Sequence, residues 1–182
     1  MSSARELATL TGVSPRALPP VECRGRCLCR LNHDKRILTG DQTIIYTNNS
    51  PDTLKNFYLH LYPNAYRNRH TEFMKFFRRR SNINIIDVPK SHRGWLDVHN
   101  VRVNGKNVEV QIDDTIAHIK LLTPLEPGAS MTVALDFDSK VRKHLGRAGY
   151  RNNHYDFAQW YPKVVVYDEN GFHPDKFMAG EF

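Results

Sequence analysis

The nine residues SMTVALDFD (130–138) alternate without a break. Met131, Val133, Leu135 and Phe137 fall on one face, and Ser130, Thr132, Ala134 and Asp136 on the other. A helix would scatter those four apolar side chains around its axis. A strand collects them on one side, so the segment reads as a half-buried strand. Such a strand needs neighbours to complete its hydrogen bonds and a second apolar layer to cover its inner face, and that requirement limits the folds open to the rest of the chain.

The remaining segments supply those neighbours. NVEVQI repeats the pattern with Val108, Val110 and Ile112 inward. Asn104-Gly105 tolerates positive φ at both positions, so 98–103 and 107–112 are expected to pair as a hairpin. DDT (113–115) turns the chain into a strand over 116–122, and the Pro- and Gly-bearing PLEPGAS (124–130) turns it again. DQTIIYTN (41–48) and LKNFYLHLY (54–62) are rich in β-branched and aromatic residues. The second of these has Phe57, Leu59 and Leu61 on one side and Tyr58 and Tyr62 on the other, which predicts cover on both faces. One helix is expected near 67–79, where Tyr66, Phe73, Phe76 and Phe77 recur at helical spacings. Short strands about every ten residues, with no strand–helix alternation, predict an all-β fold. The expected architecture is an antiparallel β-sandwich or saddle-like sheet domain with one short helix.

The 182 residues fit one domain, 22–182, behind a flexible N-terminal extension, 1–21. That extension is rich in Ser, Pro and Ala, and Pro19-Pro20 blocks helix propagation beyond a short turn near Arg5–Leu10. It lacks the apolar run of a signal peptide, and no run in the chain is long enough to span a membrane. As written, the chain is expected to stay in the compartment where it is made, cytoplasmic on this reading. The formal charge is +7, with much of the excess in RNRHTEFMKFFRRR (67–80). Helical spacing explains the interleaved phenylalanines as core contacts and the bases as a solvated face, so no nucleic-acid partner is expected.

Catalytic signatures are absent. There is no His-Glu-x-x-His, no Gly-x-Ser-x-Gly and no phosphate-binding glycine loop. Cys23, Cys27 and Cys29 form one cluster, whereas a zinc site needs four ligands, and His33 is poorly spaced as the fourth. They read as structural, with Cys27 and Cys29 on the same face of a strand. His60, His118 and His154 sit in strand-like contexts that favour structural roles. His173-Pro174-Asp175 follows a β-type run and reads as a turn ending a strand. Asn48-Asn49-Ser50 matches a glycosylation sequon by chance, with Pro51 behind it.

Several stretches in order carry a resemblance: LTGDQTIIYTNNSPDTLKNFYLHLYPNAYRN (38–68), RGWLDVHNVRVNG (93–105), PLEPGASMTVALDFDSKV (124–141) and GYRNNHYDFAQWYPKVVVYDENGFHPD (149–175). Together they resemble the N-terminal β-domain of gluzincin zinc aminopeptidase-like proteins, above all a bacterial subgroup. The resemblance implies a domain that scaffolds and lines the substrate cleft of a C-terminal thermolysin-like catalytic domain, with peptide as substrate. Zinc is implied in that catalytic domain and none in this chain, which would hold no catalytic residue and be inactive alone. In the family a Gln-x-Glu stretch of this domain touches the substrate. AQWYP places Gln159 at the Gln and Tyr161 where the Glu would be, so both are candidate substrate-binding residues and amine recognition by a carboxylate is lost. Trp160, Tyr161 and Val164–Val166 could instead fill the sandwich and the domain interface. Family members are often exported or membrane-associated. The alternative is a free-standing β-sandwich module binding peptide or carbohydrate. A domain cut at its C-terminal end should also expose apolar or edge-strand surface near 158–182.

Overall fold

A computed structural model describes residues 23–80, 89–144 and 147–178. The expected extension over 1–21, with its turn near Arg5–Leu10, lies outside them. The chain runs β1 (Cys23–Asn32), β2 (Ile37–Thr47), β3 (Leu54–His60), a 3-10 turn (Tyr62–Tyr66) and α1 (Glu72–Arg80). It continues through β4 (Trp95–Val103), β5 (Lys106–Asn107), β6 (Val110–Asp113), β7 (Ile116–Leu125) and β8 (Ser130–Lys140). Five short strands follow: β9 (Gly149–Arg151), β10 (His154–Asp156), β11 (Lys163–Val164), β12 (Tyr167–Asp168) and β13 (Gly171–Phe172).

These form an all-β, antiparallel arrangement. One sheet has the order β1-β2-β8-β4-β5, the other β11-β3-β7-β6, and β9–β10 and β12–β13 are separate hairpins. The inner faces meet in one core. Met131, Val133, Leu135 and Phe137 of β8 join Ile44 and Tyr46 of β2 and Leu96, Val101 and Val103 of β4 against Phe57 and Leu59 of β3 and Ile119 and Leu121 of β7. The alternation in β8 is therefore its burial pattern. Phe137 sits opposite Gly40 in the β2–β8 register. A Cβ at Gly40 would lie 2.7 Å from the Phe137 ring and 2.6 Å from the Leu28 carbonyl oxygen, so the absent side chain is what lets the ring lie there.

β3 is covered on both faces, as its residues predict. Phe57, Leu59 and Leu61 are in the core, while Tyr58 on the other side stacks on His118 at 4.8 Å and meets Phe172 at 5.3 Å. Cys27 and Cys29 lie two apart on β1, Cys27 partly buried against the core and Cys29 exposed.

Three sequence expectations need correction. The helix begins at Glu72, not residue 67. Thr71 caps it, its Oγ1 accepting from Met74 N at 3.3 Å, and Asp114 Oδ2 accepts from Glu72 N at 2.7 Å. Residues 62–66 form a 3-10 turn in front, started by Pro63. The hairpin after Asn104-Gly105 is real, with φ of 49° and 78°, but its second strand is divided. β5 pairs with β4 for two residues, and β6 then pairs with β7 across the turn at Asp114, whose φ is 59°. A tight turn on each side of 106–113 offers each half its own nearby partner. Ile112 consequently ends 47% exposed, not inward. Within Val164–Val166, Val165 is buried and Val166 is 63% exposed.

Asn48 of the sequon is buried, and its amide has a structural task. Nδ2 donates to Asp52 O at 2.7 Å and Leu125 O at 2.9 Å, while Oδ1 accepts from Ser50 Oγ at 2.7 Å. It ties the β2–β3 crossover to the β7–β8 turn. Among the described residues no helix is long and apolar enough to cross a membrane.

Two predictions follow from buried polar groups. Asn48→Ala should lower stability by about 3 kcal/mol, because two backbone carbonyls lose their buried donor; urea denaturation reads this, and a loss below a few tenths would refute the lock. His60 is buried against Tyr62 (4.7 Å), and desolvation, helped by Lys163, lowers its pKa from 6.5 to about 4. Above pH 6.5 the ring is neutral in both states. As pH falls from 6.5 towards 4 the unfolded chain binds the proton first, so stability is lost across that window and the penalty levels off below it. Wild type should therefore lose about 2 kcal/mol more than His60→Phe between pH 7 and pH 5, read from paired urea midpoints.

Candidate functional site

The loop from β10 to β11 carries the candidate residues. Its backbone turns sharply at Gln159, where φ is 51°, a conformation in which a non-glycine residue needs support from its surroundings. Trp160 provides it. Its ring lies 6.2 Å from Phe137, 6.0 Å from Phe157 and 5.4 Å from Tyr161. The next residues anchor the loop: Pro162 is buried, Lys163 pairs with His60 and Val164 with Leu59.

The two candidates separate at this point. Gln159 lines a cavity of about 360 Å³, together with Ala158 and Trp160. Its side chain makes no hydrogen bond among the described residues. Tyr161 is not in the lining and packs against the sandwich core. Trp160 belongs to both, touching the core with one part of its ring and the cavity with another.

The opposite wall of the cavity is aromatic. Tyr62 and Tyr66 come from the 3-10 turn, Phe73 and Phe77 from α1, and Phe177 from the C-terminal stretch. Phe73 lies 4.9 Å from Tyr66 and 5.2 Å from Phe177, and these residues with Ala65 and Met74 form a second small core. Phe73 and Phe77 of the basic segment are thus core and cavity residues, Phe76 is in neither the core clusters nor the cavity lining, and Lys75, Arg78 and Arg79 point to solvent. Phe177 is held by its own N–H, which donates to Thr115 Oγ1 at 2.9 Å.

A cation stands in this apolar wall. The Arg142 guanidinium lies 3.8 Å over the Tyr66 ring and donates through Nη1 to Ala148 O, and its Nε is buried without a partner. Burial lowers its pKa from the ordinary arginine value, partly offset by Tyr66. The backbone of Arg142 is locked to β9, its carbonyl accepting from Tyr150 N at 2.9 Å. Gly149 permits that approach: its φ is 130°, and a Cβ there would lie 2.6 Å from His144 Cα and 2.8 Å from Arg142 O.

Among the described lining residues the one carboxylate is already engaged. Asp156 meets His144 Nε2 at 3.1 Å and His154 Nε2 at 3.0 Å. On the other side of the hairpin, Arg36 donates to Tyr155 Oη at 2.7 Å and stacks 3.9 Å over Tyr150, fastening β9–β10 to the β1–β2 turn. Nothing in the sequence singled out Arg142 or the cavity. Arg142 lies in the basic run VRKHLGR, and the cavity wall is drawn from segments far apart in the chain.

His173-Pro174-Asp175 is the exit of a hairpin. β12 and β13 bring His173 Nε2 to 2.7 Å from Asp168 Oδ1, and that hydrogen bond raises the His173 pKa and lowers that of Asp168. Val166 and Met178 face solvent. Among the described residues no three His, Cys, Asp or Glu side chains converge to hold a metal ion. These residues do not fit a zinc centre.

No protein-family model matches the sequence, and no curated protein does. Solved structures do. The chain is similar to an M1 zinc metallopeptidase from Deinococcus radiodurans, with 17% identity and a TM-score of 0.42, over 71% of this chain and 23% of that one. It is also similar to a two-domain M1 zinc metallopeptidase mutant bound to L-tryptophan, with 14% identity and a TM-score of 0.45, over 87% of this chain and 30% of that one. A D. radiodurans M1 zinc metallopeptidase mutant bound to a Tyr-Ser-Ala substrate matches at 17% identity and a TM-score of 0.39, over 76% of this chain and 24% of that one. The chain thus spans under a third of the length of the structures it matches.

The cavity wall depends on Gly149, so Gly149→Ala should cost about 2–3 kcal/mol and shift the tryptophan emission as Trp160 loses its packing. Thermal or urea denaturation with fluorescence tests both, and an unchanged spectrum with full stability would refute the coupling.

Proposed function

We propose that residues 22–182 are the non-catalytic N-terminal domain of a zinc aminopeptidase-like protein, supporting and lining the peptide cleft of a catalytic domain carried by the same polypeptide. One observation carries this reading: the residue to which the sequence resemblance assigns substrate contact, Gln159, has a left-handed backbone, a side-chain amide with no hydrogen bond among the described residues, and a place in the lining of a cavity. A free carboxamide offers both a donor and an acceptor, which suits a peptide backbone. Tyr161 has a different part. A phenol cannot pair with an ammonium as a carboxylate does, and its ring is committed to the core. Recognition of a substrate amine would then fall to a carboxylate of the catalytic domain, which would also hold the zinc that activates water.

In the intact parent protein, Gln159→Ala should raise KM for peptide substrates about tenfold while kcat changes little, the pattern of a lost binding contact. The isolated chain should hydrolyse no aminoacyl-amide substrate. Stoichiometric zinc with hydrolysis by these 182 residues would overturn the reading. A coding sequence with no zinc motif in frame would instead favour a free-standing peptide- or carbohydrate-binding module.

A further inference from the structure

Arg142 is a half-buried cation whose Nε is fully enclosed, and among the described residues it has no anionic partner. Its Nε has no partner, its Nη1 is given to a neutral carbonyl, and among the described residues no carboxylate pairs with it. The carboxylate in the same lining, Asp156, is held between His144 and His154. A buried charge left in this state is costly, and a bound anion would relieve that cost. The rest of the wall narrows the kind of anion. Tyr66, Phe73, Phe77 and Trp160 present aromatic surface beside the basic Lys140 and Arg147, which suits an anion with a flat apolar body. At about 360 Å³ the space fits one aromatic ring with a short acidic tail.

We propose that this cavity is a binding site for an aromatic monocarboxylate, the carboxylate paired with the Arg142 guanidinium and the ring seated among the aromatic side chains. A small arylalkanoic acid and the C-terminal aromatic residue of a peptide present the same chemistry. Gln159, in the same lining, offers its carboxamide to the bound molecule. The inference concerns this chain alone and does not require a catalytic domain, so its failure leaves the peptidase reading as it was.

The test is titration of the full chain with phenylacetate and with phenylacetamide, followed in amide NMR spectra. Saturable shifts are expected at Gly149 and Gln159, with the acid bound at least about tenfold more tightly than the neutral amide, as a charge-assisted pair requires. A second pair, Ala-Phe with a free or an amidated C-terminus, identifies the source: tighter binding of the free dipeptide than of phenylacetate indicates a peptide end, and the reverse indicates a small acid. Arg142→Gln should erase the preference for the acid. Because Arg142 also holds Ala148 O, that variant could lose its fold; the acid-to-amide ratio of the wild-type chain then decides by itself. Equal affinity for acid and amide, shifts remote from the cavity, or no saturation by about 10 mM overturns the proposal.

Discussion

The contact between Phe137 and Gly40 organises the molecule. Phe137 is fully buried at the centre of the five-stranded sheet, and its ring occupies the space that a side chain at Gly40 would take. That placement sets the β2–β8 register, since a slip of one residue would turn every inward side chain of β8 to solvent. It also sets the height of the next layer. Trp160 rests against the same ring, and the backbone of Gln159 turns where it does because its neighbour is fixed there. One aromatic side chain thus connects sheet register with the geometry of the candidate loop.

Around this core, the connections are held by buried amides rather than by covalent links. Asn48 fastens two crossovers between the sheets. Asn64 does the equivalent at the other end: its Oδ1 accepts from Leu96 N at 2.8 Å and Arg67 Nε at 3.0 Å, and Arg67 continues to Asp97. A carboxamide suits such a place because it satisfies donors and acceptors without carrying a charge into the interior. The effect is to hold the 3-10 turn and α1 at a fixed distance from β4, which opens the space that becomes the cavity.

How much of this was legible in the sequence depended on the range of the interaction. β8 could be read from its alternation, and the turn at Asn104-Gly105 from backbone chemistry, since both are properties of adjacent residues. The start of α1 was misplaced because its cap comes partly from Asp114, which is 42 residues away. The division of 106–113 between two sheets was hidden because both flanking turns are equally tight. Gln159 was visible through resemblance, but the separation of Gln159 from Tyr161 was not, because it depends on which way the chain bends between them.

The sequence by itself determined an antiparallel, all-β chain with a known set of inward-facing residues, because a period of two and positive-φ turns are local facts. It could equally show that no zinc-peptidase motif is present in these residues. Only the tertiary structure decided that an arginine from an unremarkable basic loop would stand in an aromatic wall. That wall is assembled from residues 38, 62–77, 94, 139–142, 147–149, 156–160 and 177, and no spacing rule links them. They meet because two sheets share one core, and a core is a property of the whole chain.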